Sequence, residues 1–278
     1  MRVIQAGQGL PLVLLPGIQG RWEYQQPCRD ALARSFNVLT FSLCGEPGAA
    51  PMDEATGLDT DVRQIEAAMS LSGVSRAIVC GISFGGLPAL RFAATRPDQT
   101  AALILASTPG PAWQLRARHR VYARAPWIFG PLFLVESPLR LRQELAVTFP
   151  GRRDRLRFLR WQLATLSRAP VSPKRMAARA ALIPGAGLAE DCARITAPTL
   201  LVTGESELDH VVPVASTLGI KALIAGAEHR TISGTGHLGS VTRPDEFARV
   251  IREFVASRSA AASSQGYIEG LRRAPAAG

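Results

Sequence analysis

Gly81-Ile82-Ser83-Phe84-Gly85, followed by Gly86, is the stretch from which the rest of the chain can be read. An apolar run, Ala77-Ile78-Val79-Cys80, leads into it. A helix-like segment, Leu87-Pro88-Ala89-Leu90-Arg91-Phe92-Ala93-Ala94, leads out. A G-x-S-x-G pattern between a strand and a helix sets a serine on a sharp turn. The turn crowds strand against helix, and residues without a Cβ give it room. It lifts the hydroxyl above the sheet edge and aims the Phe84 N–H, at the start of the helix, at any oxyanion that forms. Alone, a serine in a glycine-rich turn is a weak signal. Its meaning depends on partners elsewhere in the chain.

Outward from this turn, strand-like and helix-like runs alternate. Leu12–Leu15 ends in Pro16-Gly17, a helix candidate spans Gln26–Arg34, and Phe36–Phe41 follows as a strand. Asp59–Leu71 is amphipathic, with Val62, Ile65, Ala68 and Met69 on one side and Asp59 or Thr60 as N-cap. Ala101–Ala106, Thr199–Thr203 and a run near His229–Ile232 read as further strands, and Phe247–Phe254 as a last amphipathic helix. Continuous apolar strands between helices predict an α/β fold with a mostly parallel sheet covered on both faces. From about Pro109 to Gly187 the alternation stops. The segment is rich in Arg and Leu, carries Trp113, Trp127, Phe129, Phe133, Phe149, Phe158 and Trp161, and shows no strand signal. It reads as a helical cap inserted after a core strand. The expected division is a core of 1–110, a cap of 111–186, a second core part of 187–257, and a disordered Ala/Ser-rich tail of 258–278 with a short helical possibility over Tyr267–Arg273.

Composition narrows the function classes. The 278 residues are 47% hydrophobic and 19% charged, ordinary values for a globular protein. No basic start leads into a signal-type apolar stretch, and no run of about 18 apolar residues exists, which points to a cytoplasmic protein without a membrane span. Cys28, Cys44, Cys80 and Cys192 are scattered without a C-x-x-C, so neither a metal site nor a disulfide framework is expected. The net charge of +10 is not spread evenly. Between Ala112 and Arg179 stand 15 Lys or Arg against Glu136, Glu144 and Asp154, so this segment holds all of the excess. A solvated, Arg-rich helical surface is the favoured reading, and no nucleic acid is expected. The alternative is attraction of an anionic substrate, acidic lipid or acidic partner.

A serine hydroxyl needs a base, and the base needs an orienting carboxylate. Of four histidines, His237 stands in Ser233-Gly234-Thr235-Gly236-His237-Leu238-Gly239-Ser240, a glycine-rich loop between a strand and the final helix. That is where open α/β sheets carry function. His119 sits among arginines and is expected to face solvent, His229 precedes an edge-like strand, and His210 reads as a turn residue. The strand Thr199–Thr203 runs into Gly204-Glu205-Ser206-Glu207-Leu208-Asp209, where three acids compete for the role of the carboxylate. The strand Ala101–Ala106 ends in Ser107-Thr108-Pro109-Gly110 and offers none.

The elbow, the order serine–acid–histidine and the Gly236-His237 loop together resemble the α/β-hydrolase fold superfamily, in its form with a helical cap after the sixth core strand. The resemblance covers nearly all of residues 1–256. It implies catalytic Ser83 and His237. The family's D-x-x-V-P pattern matches Asp209-His210-Val211-Val212-Pro213, whereas counting three residues from Gly204 lands on Glu207, which stays in reserve. The family takes its second oxyanion donor from a loop that here reads Leu15-Pro16-Gly17-Ile18, so the expected oxyanion hole is the N–H groups of Ile18 and Phe84. Pro16 stands where the family often has histidine, and no H-G-G-G is present. Serine in place of the aspartate of dehalogenases and epoxide hydrolases points to acyl chemistry. The expected protein is a serine hydrolase cleaving a small-molecule ester or related acyl group, with no cofactor and no metal, and with Trp127, Phe129 and Phe133 shaping an apolar pocket. C–C bond hydrolysis, acyl transfer and, from another class, a non-catalytic ligand-binding protein are the alternatives.

Overall fold

The computed structural model describes residues 1–53 and 56–273, with 134, 137, 138 and 259–273 described as backbone alone. Seven strands form one sheet: β1 (Ile4–Ala6), β2 (Leu10–Leu15), β3 (Phe36–Thr40), β4 (Ala77–Ile82), β5 (Thr100–Ala106), β6 (Thr199–Thr203) and β7 (Glu228–Thr231), in the order β1-β3-β2-β4-β5-β6-β7. Only β1 runs antiparallel, with Ile4 opposite Thr40; every other pairing is parallel. The central strands are apolar throughout because both of their faces are covered. Val13, Leu15, Val79, Leu103, Leu105 and Leu201 point into one core, while Leu12, Leu14, Ile78, Cys80, Ile104 and Val202 point into the other.

Helices α1 (Gln26–Leu32), α2 (Leu58–Leu71) and α3 (Gly86–Thr95) alternate with the first strands. On α2 the stripe Val62, Ile65, Ala68 and Met69 is buried in the first core, as the helical spacing predicts. The helix begins one residue earlier than expected: Gly57 occupies the N-cap, and Asp59 and Asp61 fall in the first turn, where their charge suits the dipole. Helix α8 (Leu188–Arg194) leads into β6, and α9 (Val214–Lys221), α10 (Gly239–Thr242) and α11 (Pro244–Arg273) follow it. Phe247, Val250, Ile251 and Phe254 of α11 pack into the second core with Cys28 and Leu32 of α1.

Five helices fill the long gap between β5 and β6: α4 (Ala117–Arg124), α5 (Pro126–Thr148), α6 (Arg152–Arg168) and α7 (Pro173–Leu182), which make up the insertion, and then α8, which leads back into the sheet. Among the described residues they follow the fifth strand of the sheet in chain order, where the resemblance placed them after the sixth. The tail also differs from its expectation. Helix α11 runs on to Arg273, and 274–278 lie outside the described residues. No proline interrupts the chain between Asp245 and Ala274, and the Ala-rich stretch after Ser257 propagates a helix already started. Among the described residues no helix is long and apolar enough to cross a membrane.

Candidate active site

Strand β4 stops at Ile82, and Ser83 takes φ +52, an uncommon conformation for a residue with a side chain. A single 3₁₀ turn, Ser83–Gly85, then enters α3. A Cβ on Gly81 would lie 2.3 Å from the Gly85 carbonyl oxygen, and one on Gly85 would lie 2.4 Å from that of Pro16. Both positions therefore require glycine, and the second contact draws the Pro16–Ile18 loop against the elbow. Ile18, Ser83 and Phe84 line one cavity. At the start of the turn the first N–H groups have no intrahelical acceptor, which suits them to a developing negative charge.

Strands β4, β6 and β7 end at the same edge of the sheet, and their following loops bring three distant groups into a line. His237 Nε2 lies 3.2 Å from Ser83 Oγ, and His237 Nδ1 lies 3.2 Å from Asp209 Oδ2. The other oxygen of Asp209 accepts the N–H groups of Val211 (3.0 Å) and Val212 (2.9 Å). Burial of Asp209 works to raise its pKa, but the His237 charge, the His237 hydrogen bond and these two N–H groups outweigh it and hold the carboxyl below its usual range. For His237 burial works downward, and Asp209 first, then Glu144, more than offsets it, so the imidazole sits above its ordinary value. Glu207 is exposed on the surface of the loop. The third acid, Glu205, accepts the Gly234 N–H at 2.8 Å and so tethers the histidine loop.

Two buried residues of the inserted helices hold these loops, and the sequence reading assigned a role to neither. Glu144 of α5 is fully buried, and its Oε1 accepts the N–H of Gly236 (2.9 Å), the N–H of Leu238 (2.8 Å) and the Thr235 hydroxyl (2.9 Å). Burial raises its pKa against the pull of those donors and of His237. Arg179 of α7 donates to the Ile18 carbonyl (3.1 Å), the Cys44 carbonyl (2.9 Å) and Glu46 Oε1 (2.9 Å). Gly20, at φ +73, leaves the guanidinium its space. Removing one member of a buried ion pair strands the other, although Arg175 at 3.0 Å would still serve Glu46. Arg179→Met is therefore expected to lower the unfolding free energy by about 3 kcal/mol in urea titrations. An unchanged midpoint would show that the pair contributes nothing net.

The cavity over the serine measures about 510 Å³ and is lined mainly by apolar groups, among them Trp113, Phe133, Met176 and Val212. Of the three aromatics expected there, Phe133 lines it. Trp127 is 81% exposed and turned outward, and Phe129 stacks on Tyr122 with ring centroids 5.4 Å apart; neither belongs to the wall. Helix geometry explains the difference. Pro126, Gly130 and Phe133 recur at spacings of four and three residues and face the cavity, so Trp127 lies off that stripe. The expectation for His119 is also corrected. On α4 it shares a face with Tyr122 and Ala123, lines the cavity, and accepts from Arg140 Nη1 at 3.0 Å. His210 lines the cavity as well and contacts Gln143 Oε1 at 3.1 Å, whereas His229 Nε2 meets Thr203 Oγ1 at 2.9 Å beneath the sheet edge. Among the described residues no group of three or more His, Cys, Asp or Glu is placed to hold a metal ion.

Comparisons with known proteins place this geometry among relatives. Residues 12–250 match a family model described as the alpha/beta hydrolase family. A pimeloyl-[acyl-carrier protein] methyl ester esterase of Xanthomonas axonopodis pv. citri is 27% identical over 264 residues, covering 92% of this chain and 99% of that protein. Among solved structures, an enol-lactonase from Burkholderia xenovorans LB400 superposes with a TM-score of 0.72 at 19% identity, covering 92% of this chain and 96% of that one. A meta-cleavage product hydrolase from Pseudomonas fluorescens IP01 gives 0.68 at 21% identity, covering 92% and 94%. At these identities the two structural likenesses speak for the fold alone.

Proposed function

This chain belongs to the alpha/beta hydrolase family, and on that premise we propose that it is a serine hydrolase of carboxylic esters or related activated acyl groups, working through an acyl-enzyme. The observation that carries the reading is the 3.2 Å approach of His237 Nε2 to Ser83 Oγ, with Asp209 at 3.2 Å on the opposite ring nitrogen. In this mechanism Ser83 Oγ attacks the carbonyl carbon as His237 takes its proton. Asp209 keeps the Nδ1 proton in place and stabilises the imidazolium, while the Ile18 and Phe84 N–H groups receive the oxyanion. His237 returns the proton to the leaving alcohol, and water repeats the cycle to release the acid. The proposal includes the division into a core of 1–110 and 187–257 with a helical cap of 111–186 closing the cavity. Four free, buried cysteines suit a reducing compartment, the cytoplasm.

The test is labelling by a fluorophosphonate probe, followed by an acyl panel holding methyl esters, a thioester and a β-diketone. Labelling that survives in Ser83→Ala, or cleavage of the diketone in preference to every ester, would overturn the reading.

The proton inventory of the site adds a prediction. Only neutral His237 can act as base, and its pKa is raised, so kcat/KM is expected to fall as pH drops through a value above the ordinary histidine range. Glu144 contributes to that elevation. Glu144→Gln keeps a carbonyl oxygen for the loop N–H groups but removes the charge, so the acid limb should move to lower pH. A reduced rate with an unmoved limb would mean that Glu144 only props the loop.

A further inference from the structure

Besides the serine, the cavity wall carries a cluster of basic side chains. Arg116, just ahead of α4, His119 on α4 and Arg140 on α5 all line it. Arg118 adjoins them. Glu136 is the acid that faces the group, and it takes Arg118 at 3.1 Å and the Tyr122 hydroxyl at 3.2 Å. Arg140 lies over the Phe133 ring, 4.7 Å from its centroid, and donates to His119. Arg116 donates to the His210 carbonyl at 3.3 Å. Among the described residues, three guanidiniums thus share one carboxylate beside a mainly apolar space. The imbalance is felt locally: burial first, then Arg140, Arg118 and Arg116, push the His119 pKa below its ordinary value, which suits a neutral ring accepting from Arg140. Arg116 and Arg118 reach solvent, whereas Arg140 is half-buried, and an anion beside it would offset the cost of its desolvation. A guanidinium is the group that receives a carboxylate through two parallel hydrogen bonds, and its five N–H donors make a bond to His119 compatible with such a guest.

We infer that Arg140, with Arg116 beside it, forms a subsite for a substrate carboxylate, so that the preferred substrate is an ester whose apolar chain ends in a free carboxylate. The inference rests on the serine hydrolase reading for the bond that is cleaved, but not for the binding itself. Both partners of the match are present in one cavity: apolar walls for the chain, and a cationic patch for its end.

The test compares monomethyl adipate with methyl hexanoate, which differ in one terminal carboxylate. Calorimetric titration of the Ser83→Ala variant should show the charged ester binding at least about tenfold more tightly, a difference near 1.4 kcal/mol. Adding Arg140→Gln should reduce that preference to about threefold or less, and raising NaCl should erode it. Should the double variant fail to fold, Arg116→Gln and the salt series on the Ser83→Ala protein read the same preference. Equal binding of the two esters overturns the subsite. Turnover by the unmodified protein separates the two readings. A binding preference without cleavage of either ester keeps the subsite and removes the hydrolase reading. Cleavage of both at equal kcat/KM, with equal binding, does the reverse.

Discussion

Ser83→Ala is expected to lower turnover about a million-fold, to the residual level that substrate binding and the oxyanion donors supply without a nucleophile. A factor of that size corresponds to about 8 kcal/mol of lost transition-state stabilisation. The fold should not suffer. Ser83 sits at φ +52, an unfavourable conformation that alanine shares and does not worsen. Its Oγ meets His237, and no core contact depends on it. Ser83→Gly provides the complementary measurement. Glycine tolerates that φ, so this variant should be equally dead yet more stable, by about 1 kcal/mol. Together the two separate strain from chemistry: activity collapses in both while stability rises only in one. Stopped turnover with a normal urea midpoint supports the nucleophile role. Ester cleavage within a few-fold of the parent in either variant would end it.

The sequence carried the sheet and the elbow because their signals are local. Buried parallel strands must be apolar on both faces, so β2, β4 and β6 stand out as continuous runs, and the turn after β4 demands glycines at fixed offsets from Ser83. The acid loop was half legible: Glu205, Glu207 and Asp209 are two residues apart, and only the folded turn, closed by Leu208 and Asp209 N–H bonds to the Glu205 carbonyl, shows which of them points inward. Glu144 and Arg179 gave no signal. Each makes its decisive contacts 91 to 161 residues away in sequence, and no spacing rule connects an acid inside an Arg-rich helix to a loop beyond β7. Trp127 and His119 were misplaced for a related reason. The start of α5 is apolar on all sides, so composition marks the helix but not the face it turns to the cavity. The arginines around His119 suggested solvent, whereas α4 turns it inward.

Asp209→Asn is expected to cut kcat/KM about ten-thousand-fold while Glu207→Gln leaves it within about twofold, and the reason lies in which oxygen each neighbour claims. Asp209 Oδ1 is held by the N–H groups of Val211 and Val212, and Oδ2 faces His237 Nδ1. An asparagine in this position must give its one carbonyl oxygen to the two backbone donors, because its amide nitrogen cannot accept. The NH₂ group is then turned toward His237. It donates to Nδ1, which forces the ring proton onto Nε2, the nitrogen that faces Ser83. In that tautomer the histidine has no lone pair to take the serine proton, although every heavy atom stays in place. The loss of the carboxylate charge also removes the leading influence that raises the His237 pKa, so whatever activity remains should show its acid limb at lower pH. Glu207 lies exposed on the outside of the same loop and touches neither the ring nor the backbone donors, so its neutralisation should alter neither tautomer nor pKa. The pair of variants therefore decides between two carboxylates two residues apart: a deep loss in Glu207→Gln with a mild one in Asp209→Asn would require the loop to turn over before the histidine could be oriented, and the hydrogen-bonded line from Asp209 to Ser83 would not be the working arrangement.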